Sequence, residues 1–285
     1  MTPSSKTSHR RHRPTSPTVS LVIPTLNEAA NLPHVLPALP ADLHQVILVD
    51  GGSVDGTVDV ARDLMPGIVV VQQTRRGKGN ALACGFEMCT GDVIVMLDAD
   101  GSTDPTEVPL FVDALIGGAD FAKGTRFRHG GHSHDITGIR RAGNYFLNAT
   151  VNVLFGTRFS DLCYGYNAFW RELLPALDLP DTSLDAPADG TKLWGDGFEI
   201  ETLINVRVAK HYRRGIVEVP STEQKRIFGE SNLHAVRDGL RVLRTIGSER
   251  IRRSHGVPAQ SRLTNLPRPA DLPVRREADW IEQAS

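Results

Sequence analysis

The chain has 285 residues, with 32 Lys+Arg against 33 Asp+Glu, a formal charge of −1, 40% hydrophobic and 23% charged residues. That profile belongs to a folded globular protein, and its near-neutrality excludes a nucleic-acid footprint spread over the whole molecule. No apolar run reaches the roughly 18 residues of a membrane span, no apolar stretch follows the basic N-terminus as in a secretory signal, and the sparse cysteines Cys84, Cys89 and Cys163 fit a reducing cytoplasm better than a disulfide framework.

Residues 1–17 are rich in Ser, Thr, Pro, Arg and His and read as a disordered basic tail. Short apolar runs then follow at 19–23, 46–49, 68–71 and 93–97, with a weaker one near Phe121. They are Val/Ile-rich and continuous, as strands covered on both faces are. The stretches near 27–39, 55–65, 78–90 and 105–117 are long enough for helices. Asn27, Asp55 and Asp104 are the N-cap candidates, and Pro105 suits a first turn. Strand–helix alternation predicts an α/β fold with a mostly parallel central sheet flanked by helices, and ligands beyond the carboxyl ends of the strands. Further on, His129, His132 and His134 lie among glycines and read as a mobile loop. The apolar stripe from Tyr145 to Phe155 reads as core in preference to a membrane surface. From about residue 254 to 285, Pro, Arg and Gln return and a second, mostly disordered tail is expected, leaving one domain over 18–253.

The chemistry-bearing residues gather at the predicted strand ends. The first run ends in PTLNE (24–28), where a dinucleotide-binding fold would carry G-x-G-x-x-G. The second ends in DGGSVDGT (50–57), whose glycines allow close backbone approach and whose Asp50 could accept from a base or ribose. Arg75-Arg76-Gly77-Lys78-Gly79-Asn80 opens a helix with cations and free N–H groups suited to an anion. Asp98-Ala99-Asp100 ends the fourth run. Two carboxylates so close need a neutralising partner, and a hard divalent cation supplies one.

In this order PTLNE, VDGGSVDGT, RRGKGNAL, VIVMLDADGSTDP and KGTRF resemble the family 2 glycosyltransferases of GT-A fold, in particular the dolichyl/polyprenyl-phosphate sugar synthases. The likeness extends to about residue 250 through SDLCYGYNAFWRE, WGDGFEIETLINVRVAK and EVPSTEQKRIFGESNL. It implies a donor pocket lined by Pro24, Thr25, Asn27 and Glu28, with Asp50 at the base or ribose and Lys78 and Gly79 at the nucleotide. Asp98, Ala99 and Asp100 would form the DxD motif, its two acids contacting Mg²⁺ or Mn²⁺. Arg126 would face the sugar–phosphate, and Arg226 would close over the phosphates. Two positions depart from the family pattern: Gly51 stands for the second acid of DDGS, and Asn232 for the lysine that ends R-x-x-G-x-S-K.

The resemblance implies an inverting transfer from a nucleoside diphosphate sugar, with polyprenyl phosphate as the first acceptor expected and a peripheral contact at the inner face of the membrane. A soluble hydroxyl acceptor is the alternative, and it would want a carboxylate base. Asp161, in the family's D-x-x-x-G-[FY], Asp196 and Glu199 are the candidates for that role. A protein that binds nucleotide sugars without turnover is a third, more distant reading.

Overall fold

The computed structural model describes residues 13–189, 191–229 and 235–252, the last stretch with side chains from 239 onward. The expected C-terminal tail and residues 1–12 of the N-terminal one fall outside the described residues, as does Asn232.

The elements run β1 (Val19–Thr25), α1 (Leu32–Val35), β2 (Gln45–Asp50), α2 (Thr57–Leu64), β3 (Val69–Gln72), α3 (Lys78–Glu87), β4 (Val93–Met96), α4 (Val108–Ile116) and β5 (Phe121–Thr125). Then come β6 (His132–Ser133), α5 (Gly138–Phe155), β7 (Asn167–Trp170), α6 (Leu174–Leu177), α7 (Ile200–Tyr212), β8 (Ile216–Pro220), β9 (Thr222–Glu223) and α8 (Ala235–Ile251). The seven-stranded sheet has the order β3-β2-β1-β4-β7-β5-β8, with a separate pair β6-β9. β1 pairs parallel with both β2 and β4, β2 with β3, and β5 with β8. β7 runs antiparallel between β4 and β5.

The continuous apolar runs explain this layout. Leu21, Val22 and Ile23 of β1 and Ile47, Leu48 and Val49 of β2 are all fully buried, so both sheet faces must be covered. α3 lies so close to the sheet that a Cβ on Gly85 would stand 2.4 Å from Val22 Cγ1, and no side chain fits there. Phe169 of β7 joins the layers, edge-on to Phe86 at 5.5 Å and stacked on Phe121 at 5.9 Å. At the far side of the sheet, Arg13 pairs with Asp120 at 2.6 Å and Glu172 at 2.7 Å, and its guanidinium lies over Trp170.

Two local expectations change. The helix foreseen at 27–39 is only α1 and a following 3-10 turn, because Asn27 takes a left-handed φ of 57°, so that α1 starts only at Leu32 with Pro33 in its first turn, and Pro37 stops its continuation. Asn27 is no helix cap; its Oδ1 accepts from Val54 N–H at 2.9 Å. Asp104 does cap, accepting from Thr106 N–H at 2.9 Å. The stripe read as core divides. Leu147 and Val151 pack with Leu162, Val206 and Ile246 in a small core between α5, α7 and α8, whereas Tyr145, Phe146 and Val153 face outward. No helix among the described residues is long and apolar enough to cross a membrane.

Candidate active site

A cleft of about 1290 Å³ opens over the carboxyl ends of β1, β2 and β4, where the topology directs ligands. Pro24, Thr25, Glu28, Lys78, Asp98, Ala99, Asp100, Arg126 and Arg226 line it. Of the other residues expected at the site, Asp50, Gly79, Asp161 and Asp196 are buried behind its wall, and Asn27 is exposed on the loop after β1 without lining it.

At the centre Lys78 Nζ stands 2.8 Å from Asp98 and 2.6 Å from Glu201. Burial alone would lower the Lys78 ammonium, but these two carboxylates outweigh it and its pKa is raised. Burial pushes the Asp98 carboxyl up, against the pull of Lys78 and reinforced by Asp100 and Glu201. Beside it, Asp100 Oδ1 accepts from Ser102 N–H at 3.0 Å, and Oδ2 faces Arg226 Nε at 3.4 Å.

Arg226 belongs to a segment laid across the strand ends. Gln224 N–H donates to the Ser102 carbonyl at 2.8 Å, Ile227 N–H to that of Asp100 at 3.2 Å, and Phe228 N–H to Asn31 Oδ1 at 2.9 Å. Its guanidinium reaches Glu28 at 2.6 Å. Burial raises the Glu28 carboxyl, opposed by its bond from Asn31 and by Arg226.

Asp50 is turned into its own loop. It accepts from Gly52 N–H at 2.9 Å, Ser53 N–H at 3.0 Å and Gln72 Nε2 at 3.2 Å, and so fixes the turn that brings Gly51 and Gly52 to the cleft. The helix opening at 75–80 also differs from its expected form. Its N–H groups are not free: Gly79 N–H donates to the Asp196 carbonyl at 2.8 Å and Asn80 N–H to the same oxygen at 3.3 Å. A Cβ on Gly79 would stand 1.8 Å from the Gly195 carbonyl oxygen, so only glycine admits this approach. Asp196 itself holds Arg75 through two bonds of 2.7 and 3.0 Å, both side chains buried. Arg75 spends a further nitrogen on the carbonyls of Asp181 and Leu184.

Asp161 is equally enclosed. It accepts from Arg126 Nε at 2.7 Å and Nη2 at 2.9 Å, from Arg126 N–H at 3.0 Å and from Asn144 Nδ2 at 2.9 Å. Arg126 completes its set on Glu223 at 2.9 Å. Glu201 and Glu223 stand in the family-like segments 194–210 and 218–233 but were not foreseen as site residues, since only the folded chain brings them to Lys78 and Arg126.

The other half of the cleft lies between α5 and α8. Ile139, Leu147, Phe198 and Val242 give it apolar walls, and Arg140 and Arg241 bring cations. Glu199 accepts from Gly195 and Gly197 N–H, and Arg241 Nε approaches its other oxygen at 3.7 Å.

Among the described residues no group of three or more His, Cys, Asp or Glu gathers to hold a metal ion. Asp98 and Asp100 offer hard oxygen donors of the kind Mg²⁺ and Mn²⁺ take, when one or two carboxylates share the ion with substrate phosphate and water. The donor set therefore fits an ion that arrives with a diphosphate and does not build a closed site of its own.

The family model of Glycosyl transferase family 2 matches residues 20–177. This chain belongs to that family. The transferase is 36% identical over 234 residues to Glycosyltransferase AglJ of Haloferax volcanii, covering 79% of this chain and 70% of that protein. It is 33% identical to the polyprenol monophosphomannose synthase of Mycolicibacterium smegmatis, over 78% of this chain and 82% of that one. Against the undecaprenyl-phosphate mannosyltransferase of Micrococcus luteus it is 32% identical, over 75% and 87%. Among solved structures, glucosyl-3-phosphoglycerate synthase from Mycobacterium tuberculosis, in complex with Mn²⁺, UDP-glucose and phosphoglyceric acid, shares the fold of the transferase. The TM-score is 0.62 at 23% identity, covering 84% of this chain and 82% of that one.

Proposed function

We propose that this glycosyltransferase moves a sugar, with inversion, from a nucleoside diphosphate sugar to polyprenyl phosphate. One observation carries the reading: the cleft joins a carboxylate-and-cation half at the tips of β1, β2 and β4 to an apolar, cation-bearing half between α5 and α8. A nucleoside diphosphate suits the first and an isoprenoid phosphate the second. The relatives named for polyprenol and undecaprenyl phosphate support the acceptor.

In this reading Asp98 and Asp100 hold the divalent ion, which when bound supplies Lewis-acid stabilisation to a leaving diphosphate. Arg226, carried by the segment over the strand tips, meets the diphosphate charge as the glycosidic bond breaks. Lys78, 2.8 Å away, offers the Asp98 carboxylate a counter-charge that opposes the upward pull of burial. The acceptor phosphate oxygen is anionic already, so its attack on the anomeric carbon needs no carboxylate to remove a proton. The sugar passes through an oxocarbenium-like transition state. Asp161 and Asp196 then act as positioning residues, the first orienting Arg126 and the second seating the α3 N-terminus.

Radiolabelled nucleotide sugars, offered one at a time with polyprenyl phosphate and Mg²⁺ or Mn²⁺, test this. Organic-phase label is expected with at least one donor. Label confined to a water-soluble product, with every donor, favours a hydroxyl acceptor instead.

A further inference from the structure

The outward face of α5 lies outside the core, and only Ile139, at its N-terminal end, also borders the cleft. Ile139 is 77% exposed, Tyr145 77%, Phe146 58% and Val153 83%. Ile139, Phe146 and Val153 recur at every seventh position, so they fall on one line along the helix, and the exposed Ala142 and Ala149 fill the spaces between them. Apolar side chains of this size, aligned and open to solvent, mark a docking face more often than chance exposure does.

The charges around the stripe identify its partner. From residue 136 to 160 the sequence has no Asp or Glu, while Arg140, Arg141 and Arg158 lie within it. At the C-terminal end of α5, Leu154 and Phe155 share a basic hollow with Lys210, Arg213, Arg214 and Arg250. Arg141, Arg158, Arg213 and Arg214 are all exposed. An apolar ridge with cations at both ends matches the headgroup boundary of an anionic bilayer, where the ridge enters the acyl region and the arginines meet the phosphates. The same helix continues into the site, since Ile139, Arg140 and Gly143 line the cleft. A bilayer seated on this face would therefore meet the mouth of the apolar half.

We infer that the outer face of α5, with the arginines at its two ends, seats the protein on an anionic lipid bilayer beside the opening of the cleft. The inference rests on the polyprenyl-phosphate reading for its purpose, but its test does not depend on catalysis. The full chain is sedimented with vesicles of phosphatidylcholine alone and of phosphatidylcholine with phosphatidylglycerol, without substrates. Phe146→Glu/Val153→Glu is expected to lower partitioning onto the anionic vesicles at least about tenfold. Arg213→Glu/Arg214→Glu is expected to remove the preference for phosphatidylglycerol. Neither pair lines the cleft, so both variants should transfer sugar to a short-chain polyprenyl phosphate in detergent as the parent does, which also shows that they fold. Parent protein left in the supernatant, or variants that sediment as the parent does, overturns the inference. So does a dimer of the parent in analytical ultracentrifugation that the Phe146/Val153 variant dissolves, since the face would then cover a second copy. Vesicle binding that persists with no transfer to polyprenyl phosphate under any condition sinks the acceptor reading and leaves the surface standing.

Discussion

Arg226 Nη2 lies 2.6 Å from Glu28 Oε1, and this contact ties the segment after β9 to the loop after β1 across the strand tips. The guanidinium is thus held in the cleft before any donor arrives, at the cost of some freedom to regroup around a diphosphate. Arg226→Ala is expected to lower kcat/KM by about a hundredfold or more, as loss of a preorganised charge at a leaving group does. Arg226 is partly exposed, so the melting temperature should move little. Steady-state kinetics beside thermal denaturation check both halves, and a large fall in stability would make the residue structural.

Asp98→Asn and Asp100→Asn should each reduce turnover to about a few per cent of the parent's or less, with nucleotide affinity in the presence of Mn²⁺ falling in parallel. Chelation of divalent ions should reproduce the loss in the parent enzyme, and Mn²⁺ or Mg²⁺ should restore it. Transfer that continues in excess chelator would remove the ion from the mechanism.

Asp161 and Arg126 form a pair in which both side chains are almost wholly buried. Asp161→Ala leaves the guanidinium with Glu223 alone, and a cost of about 3–5 kcal/mol in unfolding free energy is expected. Urea denaturation measures it. A base at this position would give the opposite signature, an Asp161→Asn protein of parental stability whose pH–rate profile has lost its acidic limb.

Glu249 holds Arg207 at 2.9 Å and Lys210 at 2.8 Å between α7 and α8. Burial raises its carboxyl, but these two cations outweigh burial and the net shift is downward from 4.5. A carboxyl depressed in the folded state contributes stability above its unfolded pKa and loses it as pH falls through the folded value. Parent and Glu249→Gln proteins should therefore differ in melting temperature near neutrality and converge below about pH 4, the ordinary carboxylate range. A gap of constant size across that window would contradict the assignment.

The first four apolar runs and the one at Phe121 became β1 to β5 with edges moved by a residue or two, because strands buried on both faces announce themselves as continuous Val/Ile segments. β7 left no comparable trace. Asn-Ala-Phe-Trp is too short for periodicity, and its place between β4 and β5 depends on contacts distant in sequence. The acidic and basic residues at the strand ends were legible as a group, whereas their individual partners were not. Nothing in the spacing of Arg75 and Asp196, or of Lys78 and Glu201, foretells that they meet, since a polar residue's direction is set by the loop that carries it. The Tyr145–Phe155 stripe shows the converse: its pattern promises an amphipathic helix but does not say which face is inside when both carry apolar residues.

The reversal of β7 has a consequence for how the catalytic rim is assembled. β4 delivers Asp98 and Asp100 as the chain leaves the sheet, while Tyr164 and Gly165 reach the same cleft as it re-enters through β7, with Met96 opposite Asn167. One side of the rim is thus an exit from the sheet and the other an entrance to it, and the β4–β7 ladder joins them at the base. Opposed chain directions thus bring segments distant in sequence to one opening, and a change in the 156–166 connection is felt both at the rim and, through Asp161, at the Arg126 it holds.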